Sequence, residues 1–421
     1  MDRIKKILTM LENGQHKQAE SEYNEVLTLG THDEKYLLGE ELFQLGFLEE
    51  AKRLFEDLLE IYPDEGELLV LLAEVLIEAG NEEQATLMLE RISETDPSFG
   101  QSLLLLADLY QIQGLYEVCE GKLLKAKAIM PEEIVIDFAL GELYSEQGEI
   151  TSALQAYTAV LKEQSDIAGV NINQRIADLL SASGAFEEAL PYYEKSLSER
   201  LEINTLFGYA FTALQGGFNR TAIEKFLELK ELDPEYNSLY LPLAEAYERE
   251  EELENSIDVV QQGIKHDDFN KELLFYGGKL ALKLGREEEA EKYLREALVL
   301  DPGFTEAAIN LDTLLIKQEK FDLVIELLNT MDIQEENEPQ LLWDAAFAYE
   351  KLEDYERAME KYESAYPFFK EDESFLSDFG YFLIEEGKSD RAAEIFKQLL
   401  KNNPSNEEYH DLLERLTDIE N

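Results

Sequence analysis

Glycine followed five positions later by a small residue recurs through this chain at a spacing that leaves little choice of architecture. Gly46 with Ala51 is repeated by Gly80 with Ala85, Gly114 with Cys119, Gly148 with Ala153, Gly184 with Ala189, Gly217 with Ala222, Gly285 with Ala290 and Gly387 with Ala392. The first four glycines keep one interval of about 34 residues, and the later ones follow at near that interval or at twice or three times it. Glu251, Glu319 and Glu353 fill the skipped places. A period of this length accommodates one helical hairpin. Such a unit is too small to bury its own apolar face, so its neighbours must stack on it.

Within each unit apolar residues fall at i, i+3, i+4 and i+7, as in Leu68, Leu71, Leu72 and Val75, which predicts two helices per unit. No segment alternates with period two, so essentially no sheet is expected. A small residue follows a leucine in the first helix (Leu38-Gly39, Leu72-Ala73, Leu106-Ala107, Leu140-Gly141), where a neighbouring helix can approach closely. Glycine at the turn ends that helix by taking a left-handed conformation cheaply. Pro63, Pro97, Pro131, Pro234, Pro302 and Pro404 stop the second helix.

These residues resemble the tetratricopeptide repeat family. Leu140-Gly141, Tyr144, Gly148, Ala153 and Tyr157 match its pattern, as do Ala346, Tyr349, Ala358, Tyr362 and Ala365. The resemblance implies an all-α, right-handed superhelical solenoid of about twelve helix-turn-helix repeats over residues 1–406. Ser165 and Leu201 replace the unit-ending proline, and two extra residues lie near Ala168-Gly169. The expected organisation is therefore an N-terminal arm at 1–167 (repeats 1–5), an irregular junction repeat at 168–203, a C-terminal arm at 204–406 (repeats 7–12) and a capping helix at 407–421. The stacking angle is expected to change at the junction. The cap begins with Ser405 and Glu408 at capping-box spacing and carries Tyr409, Leu412, Leu413, Leu416 and Ile419 on one face.

Lysine and arginine total 37 against 92 aspartates and glutamates, a formal net charge of −55. That field repels phosphate backbones and anionic lipid, so neither nucleic acid nor a membrane is an expected partner. The amphipathic start, with Ile4, Ile7, Leu8 and Leu11 on one face, is not the unbroken run of a signal peptide. No apolar stretch is long enough to span a bilayer. The single Cys119 excludes an intramolecular disulfide and a cysteine zinc cluster. The default compartment is the cytoplasm.

Catalysis needs convergent groups, and His16, His32, His266 and His410 are scattered. Nucleotide-binding, zinc-peptidase and nucleophile-elbow motifs are missing. The expectation is a non-enzyme with no catalytic, cofactor-binding or metal-binding residues. Cys119 reads as a buried packing residue in the place where other units have alanine.

The family resemblance implies that the first helix of every unit lines a groove. Directly after the small residue stand Glu40, Glu74, Asp108, Glu142 and Asp178, acidic in five successive units. Three places before it stand Tyr36, Val70, Leu104 and Phe138, with Gln174 ending the run. This acidic stripe beside an apolar one suits a basic amphipathic helix or extended peptide. Further on, Arg249, Lys283, Lys317 and Lys351 recur once per unit, although Glu245 is placed to pair with Arg249. Lys279 and Lys283 are like charges at i and i+4 beside Phe275 and Tyr276, which marks the strongest contact candidate, for an acidic segment with Lys317. The carboxylate clamp of chaperone-binding members is not matched: Tyr36 with Glu40, or Phe138 with Glu142, occupies its places.

The leading reading is a scaffold or adaptor that binds protein or peptide segments, with Tyr36, Phe138, Phe207, Phe275 and Trp343 buried against the partner. The alternative is a regulatory receptor whose superhelix changes on binding a small peptide. Partner identity and oligomeric state are not encoded in these patterns.

Overall fold

The computed structural model describes residues 2–330 and 338–418. The chain divides into two compact units, Met1–Gly208 and Tyr209–Asn421. Helical hairpins occupy 2–29, 32–61, 66–90, 99–129, 134–161 and 172–199 in the first unit. Those at 240–266, 271–300, 305–330, 339–369 and 373–402 belong to the second, and the hairpin at 203–232 contains the division. Within each unit successive hairpins stack. The final helix, Glu407–Asp418, lies on the helix Ser389–Asn402 and buries Tyr409 and Leu416. Ile419 lies outside the described residues.

The turn between the helices is the same throughout. Gly46 sits at φ 78°. Its N–H donates to the Phe43 carbonyl at 2.9 Å, and the Phe47 N–H reaches back to the Leu42 carbonyl at 2.9 Å. These bonds satisfy carbonyls that the helix end leaves without partners. Glu251, Glu319 and Glu353 form the same bonds at φ 62°, 56° and 60°. The fold thus imposes a left-handed conformation on three residues that have a Cβ. The first hairpin uses Gly14 at φ 70° with the buried Ala19, a pair that falls out of step with the regular period.

The small residue of the first helix has a steric cause. A Cβ on Gly141 would lie 2.6 Å from the Tyr157 ring, and one on Gly39 2.7 Å from Phe55. Each contact joins the first helix of a hairpin to its own second helix. The cores on either side are apolar: Leu68, Leu72 and Val75 are buried, and Leu71 packs against them.

One sequence expectation is corrected locally, and one is given a detail: the extra residues near Ala168-Gly169 form a short β-ribbon, Asp166–Ile167 against Val170–Asn171, in an otherwise helical chain. Ala168 and Gly169 both take positive φ at its tip, and Arg200 holds it through the Gly169 carbonyl at 3.0 Å. The last helix is capped by Asn406, whose side chain accepts from the Tyr409 N–H at 3.2 Å. Ser405 instead turns to Asn403, and Glu408 accepts from the Tyr381 hydroxyl at 2.6 Å, which leaves no capping box.

Candidate functional site

In the first unit the five acidic positions share one helix face but differ in what holds them. Glu142 accepts from the Tyr157 hydroxyl at 2.6 Å and pairs with Arg175 at 3.0 Å. Asp178 accepts from the Tyr193 hydroxyl at 2.6 Å. Both tyrosines come from the second helix of the same hairpin, so these two acids serve the fold. Glu40 accepts from Tyr36, which also donates to Glu67 at 2.9 Å.

The third and fourth hairpins have the buried Leu89 and Leu123 where the fifth and sixth have tyrosine, and so supply no donor from that side. Glu74 receives only the Gln101 amide, at 3.2 Å, and Asp108 makes no hydrogen bond or ion pair among the described residues. Surrounding protein raises both carboxyls above their ordinary values, and no cation compensates either. Asp178 is raised as well, through burial opposed by Tyr193 and Arg175.

The apolar companions need one revision. Val70 is 3% exposed and belongs to the core, whereas Leu104 and Phe138 are half-buried. The face is completed by two residues that sequence reading passed over, Ile112 at 69% and Val135 at 43% exposure. Ile112 lies one turn beyond Asp108, and Val135 one turn before Phe138. By helical spacing, Leu104 and Ile112 share the face of Asp108 on its own helix, and Val135 and Phe138 share a face on the first helix of the next hairpin.

In the second unit most of the recurring cations are already engaged. Arg249 donates to the Leu214 carbonyl at 2.7 Å rather than pairing with Glu245. Lys283 pairs with Glu248, which also takes the Tyr276 hydroxyl. Lys317 pairs with Glu287 at 2.7 Å, and Lys351 with Glu350 at 2.9 Å while lying over the Phe347 ring. Lys279 is exposed and makes no ion pair among the described residues. It lies 5.5 Å from the centre of the Phe275 ring and 5.8 Å from that of Tyr276. Phe275 packs on Phe304 at 5.0 Å. Trp343 is held edge-on by Phe369 and Phe375, each at 5.4 Å, and its indole N–H donates to Asp378 at 3.2 Å. Phe207 is half-buried.

Cys119 is fully buried and its thiol is pushed up to about 11, which makes it unreactive packing. Among the described residues no group of three or more His, Cys, Asp or Glu could hold a metal ion, and no helix is long and apolar enough to cross a membrane.

Comparison with known proteins follows the same lines. Models of YpiA-like tetratricopeptide repeats match residues 111–165, and those of the YpiA-like C-terminal repeats match 339–406. General tetratricopeptide repeat models match 42–110, 170–201 and 278–304. The chain is 44% identical over 388 residues to the TPR repeat-containing protein YpiA of Bacillus subtilis (strain 168), covering 92% of each. Among solved structures, a tetratricopeptide repeat protein from Parabacteroides merdae ATCC 43184 is 18% identical, with 60% of this chain and 99% of that one aligned at a TM-score of 0.41. YrrB, described as a TPR protein with an unusual peptide-binding site, is 17% identical over 44% of this chain and 95% of its own, at a TM-score of 0.38.

Proposed function

The chain belongs to the tetratricopeptide repeat family, and from that premise we propose that it is a cytoplasmic, non-catalytic scaffold whose first-helix face seats a segment of another protein. Proteins of this family generally mediate protein–protein contacts, and the fold is typically without catalysis. The partner we assign to the first unit is a cationic amphipathic segment. One observation carries that choice: among the described residues Glu74 and Asp108 have no cation of this chain against them, and they lie next to exposed apolar side chains. A lysine or arginine from a partner would relieve both, and its apolar neighbours would cover Leu104, Ile112, Val135 and Phe138.

The second unit supports a weaker site of opposite sign at Lys279, where Phe275 and Tyr276 offer an aromatic seat and the ammonium makes no ion pair among the described residues. Lys283 and Lys317 would have to leave Glu248 and Glu287 to join it.

The test is quantitative binding of a captured partner's segment, measured by titration calorimetry with the purified full-length protein. Glu74→Lys with Asp108→Lys breaks no ion pair within the chain, and is expected to weaken a cationic segment about tenfold or more. Affinity should also fall as pH drops through the raised carboxyls, because their protonated forms offer no charge. If the partner is held equally by the parent and the double variant, the first-unit face is not its seat. The same assay with Lys279→Glu reports on the second.

A further inference from the structure

From the second hairpin to the twelfth, the close-contact position of the first helix holds glycine or alanine in every hairpin but the tenth, which places Asp312 there, one period after Gly278. Asp312 is 0% exposed, and no N–H or hydroxyl donor reaches either of its carboxylate oxygens. Among the described residues the charged group that acts on it is a second carboxyl, Asp344, from the first helix of the eleventh hairpin, which packs on its own helix. Asp344 accepts at Oδ1 from the Gln340 amide at 2.9 Å. Asp312 is the more deeply buried of the two and, among the described residues, has no donor to stabilise a charge, so the proton sits on Asp312.

We infer that Asp312 and Asp344 form a proton-held joint between the tenth and eleventh hairpins, closed while one proton is shared and loosened when that proton is lost. In the closed form the Asp312 O–H donates to the Asp344 carboxylate. Release of the proton to solvent leaves two adjacent carboxylates with no cation to separate their charges. Against the helix Thr305–Lys317 pack the helices Glu287–Leu300, Phe321–Thr330 and Pro339–Lys351, and only the last brings a charged group to Asp312. Around Asp344 the interacting groups are Asp312 and the neutral Gln340. The nearby cations are engaged elsewhere: Lys317 with Glu287, Lys320 with Glu291, Lys351 with Glu350.

Burial and the neighbouring carboxyl raise the Asp312 acid to about 9. Its folded value therefore exceeds its unfolded one, so the stability it contributes is complete below the ordinary carboxylate range and is lost as pH rises toward about 9. Self-repulsion of a chain carrying −55 acts in the same direction. The joint is accordingly read as a difference between variants.

The experiment uses the full chain, with urea midpoints from pH 5 to 9 and hydrogen exchange of residues 305–317 and 339–351, corrected for the intrinsic rate. The parent is expected to release one more proton on unfolding near neutral pH than Asp312→Ala, which restores the residue type of Ala244 and Ala346. Corrected exchange in the two helices should quicken about tenfold per pH unit in the parent and stay level in Asp312→Ala. Asp344→Asn, which keeps an acceptor without the charge, removes part of what raises the Asp312 acid and should therefore weaken the parent's pH dependence and shift it to lower pH. Equal pH dependence in the parent and Asp312→Ala, or exchange that ignores pH in the parent, overturns the joint.

Discussion

Truncating Tyr362 to alanine is expected to destabilise the second unit by about 3–5 kcal/mol, enough to unfold its last hairpins at neutral pH. Tyr362 is fully buried between the two helices of the eleventh hairpin. Its ring stacks on Phe379 at 5.2 Å and meets Phe382 at 5.0 Å, both from the following hairpin. Removing it opens a cavity that the neighbouring rings cannot close without leaving their own contacts, and takes from Glu350 the hydroxyl it accepts at 3.0 Å, leaving it Lys351 alone among the described residues. Because stability in a repeat array resides in units and their nearest-neighbour interfaces, the damage should be local, with exchange protection lost over 339–418 and kept over 240–300. Tyr362→Phe separates the two effects. It keeps the ring and gives up one hydrogen bond to a charged acceptor, an expected loss of about 1.5–3 kcal/mol. Urea unfolding followed by exchange mass spectrometry reads both. A loss for Tyr362→Ala below that of Tyr362→Phe would mean that the aromatic cluster does not hold these hairpins together.

The hairpins were legible because what ends a helix is local. A glycine at positive φ, a small residue five places on and a proline after the second helix each act within a few residues, and they recur. Gly14 with Ala19 shows the limit of a fixed period: the same chemistry stands slightly out of register and escapes a search at a constant step. Ser405 shows a different one. Ser405 has capping-box spacing, but the structure caps the helix with its neighbour Asn406, which accepts from the Tyr409 N–H.

The candidate face was legible in register but not in availability. Sequence places five acids on one side of five helices, yet whether each is free depends on the residue 15 positions later, in the packed second helix: Tyr157 and Tyr193 claim Glu142 and Asp178, whereas Leu89 leaves Glu74 without such a donor. The cations behave alike. Lys283 and Lys317 find carboxylates 35 and 30 residues away, on preceding hairpins, so their recurrence alone overstated the site. Val70 had the correct spacing and the wrong depth. Asp312 was passed over, although aligning every close-contact position exposes one acid among glycines and alanines.

Replacing Glu251, Glu319 and Glu353 by glycine is expected to stabilise the second unit, by about 1 kcal/mol at each site and about 3 kcal/mol in the triple variant. All three glutamates are exposed at positive φ, in turns whose hydrogen bonds match those made by glycine elsewhere. The left-handed conformation costs an L-residue about 1–2 kcal/mol. Glycine returns part of that gain, about 0.4–1 kcal/mol, through the greater freedom of its unfolded chain. A carboxylate at a helix C-terminus also faces the negative end of the dipole, so its removal adds about 0.3–1 kcal/mol. No packing is given up in exchange, because a Cβ at the equivalent glycines Gly217, Gly285 and Gly387 meets nothing within 4 Å. The sites lie in separate hairpins, so their effects should add. The reciprocal change, Gly148→Glu, should lower the stability of the first unit by about the same 1 kcal/mol, from the same backbone strain. Urea midpoints for the triple and the reciprocal variant give the answer together. If neither moves, the left-handed turn carries no strain, and the recurrence of glycine at this position would need another cause.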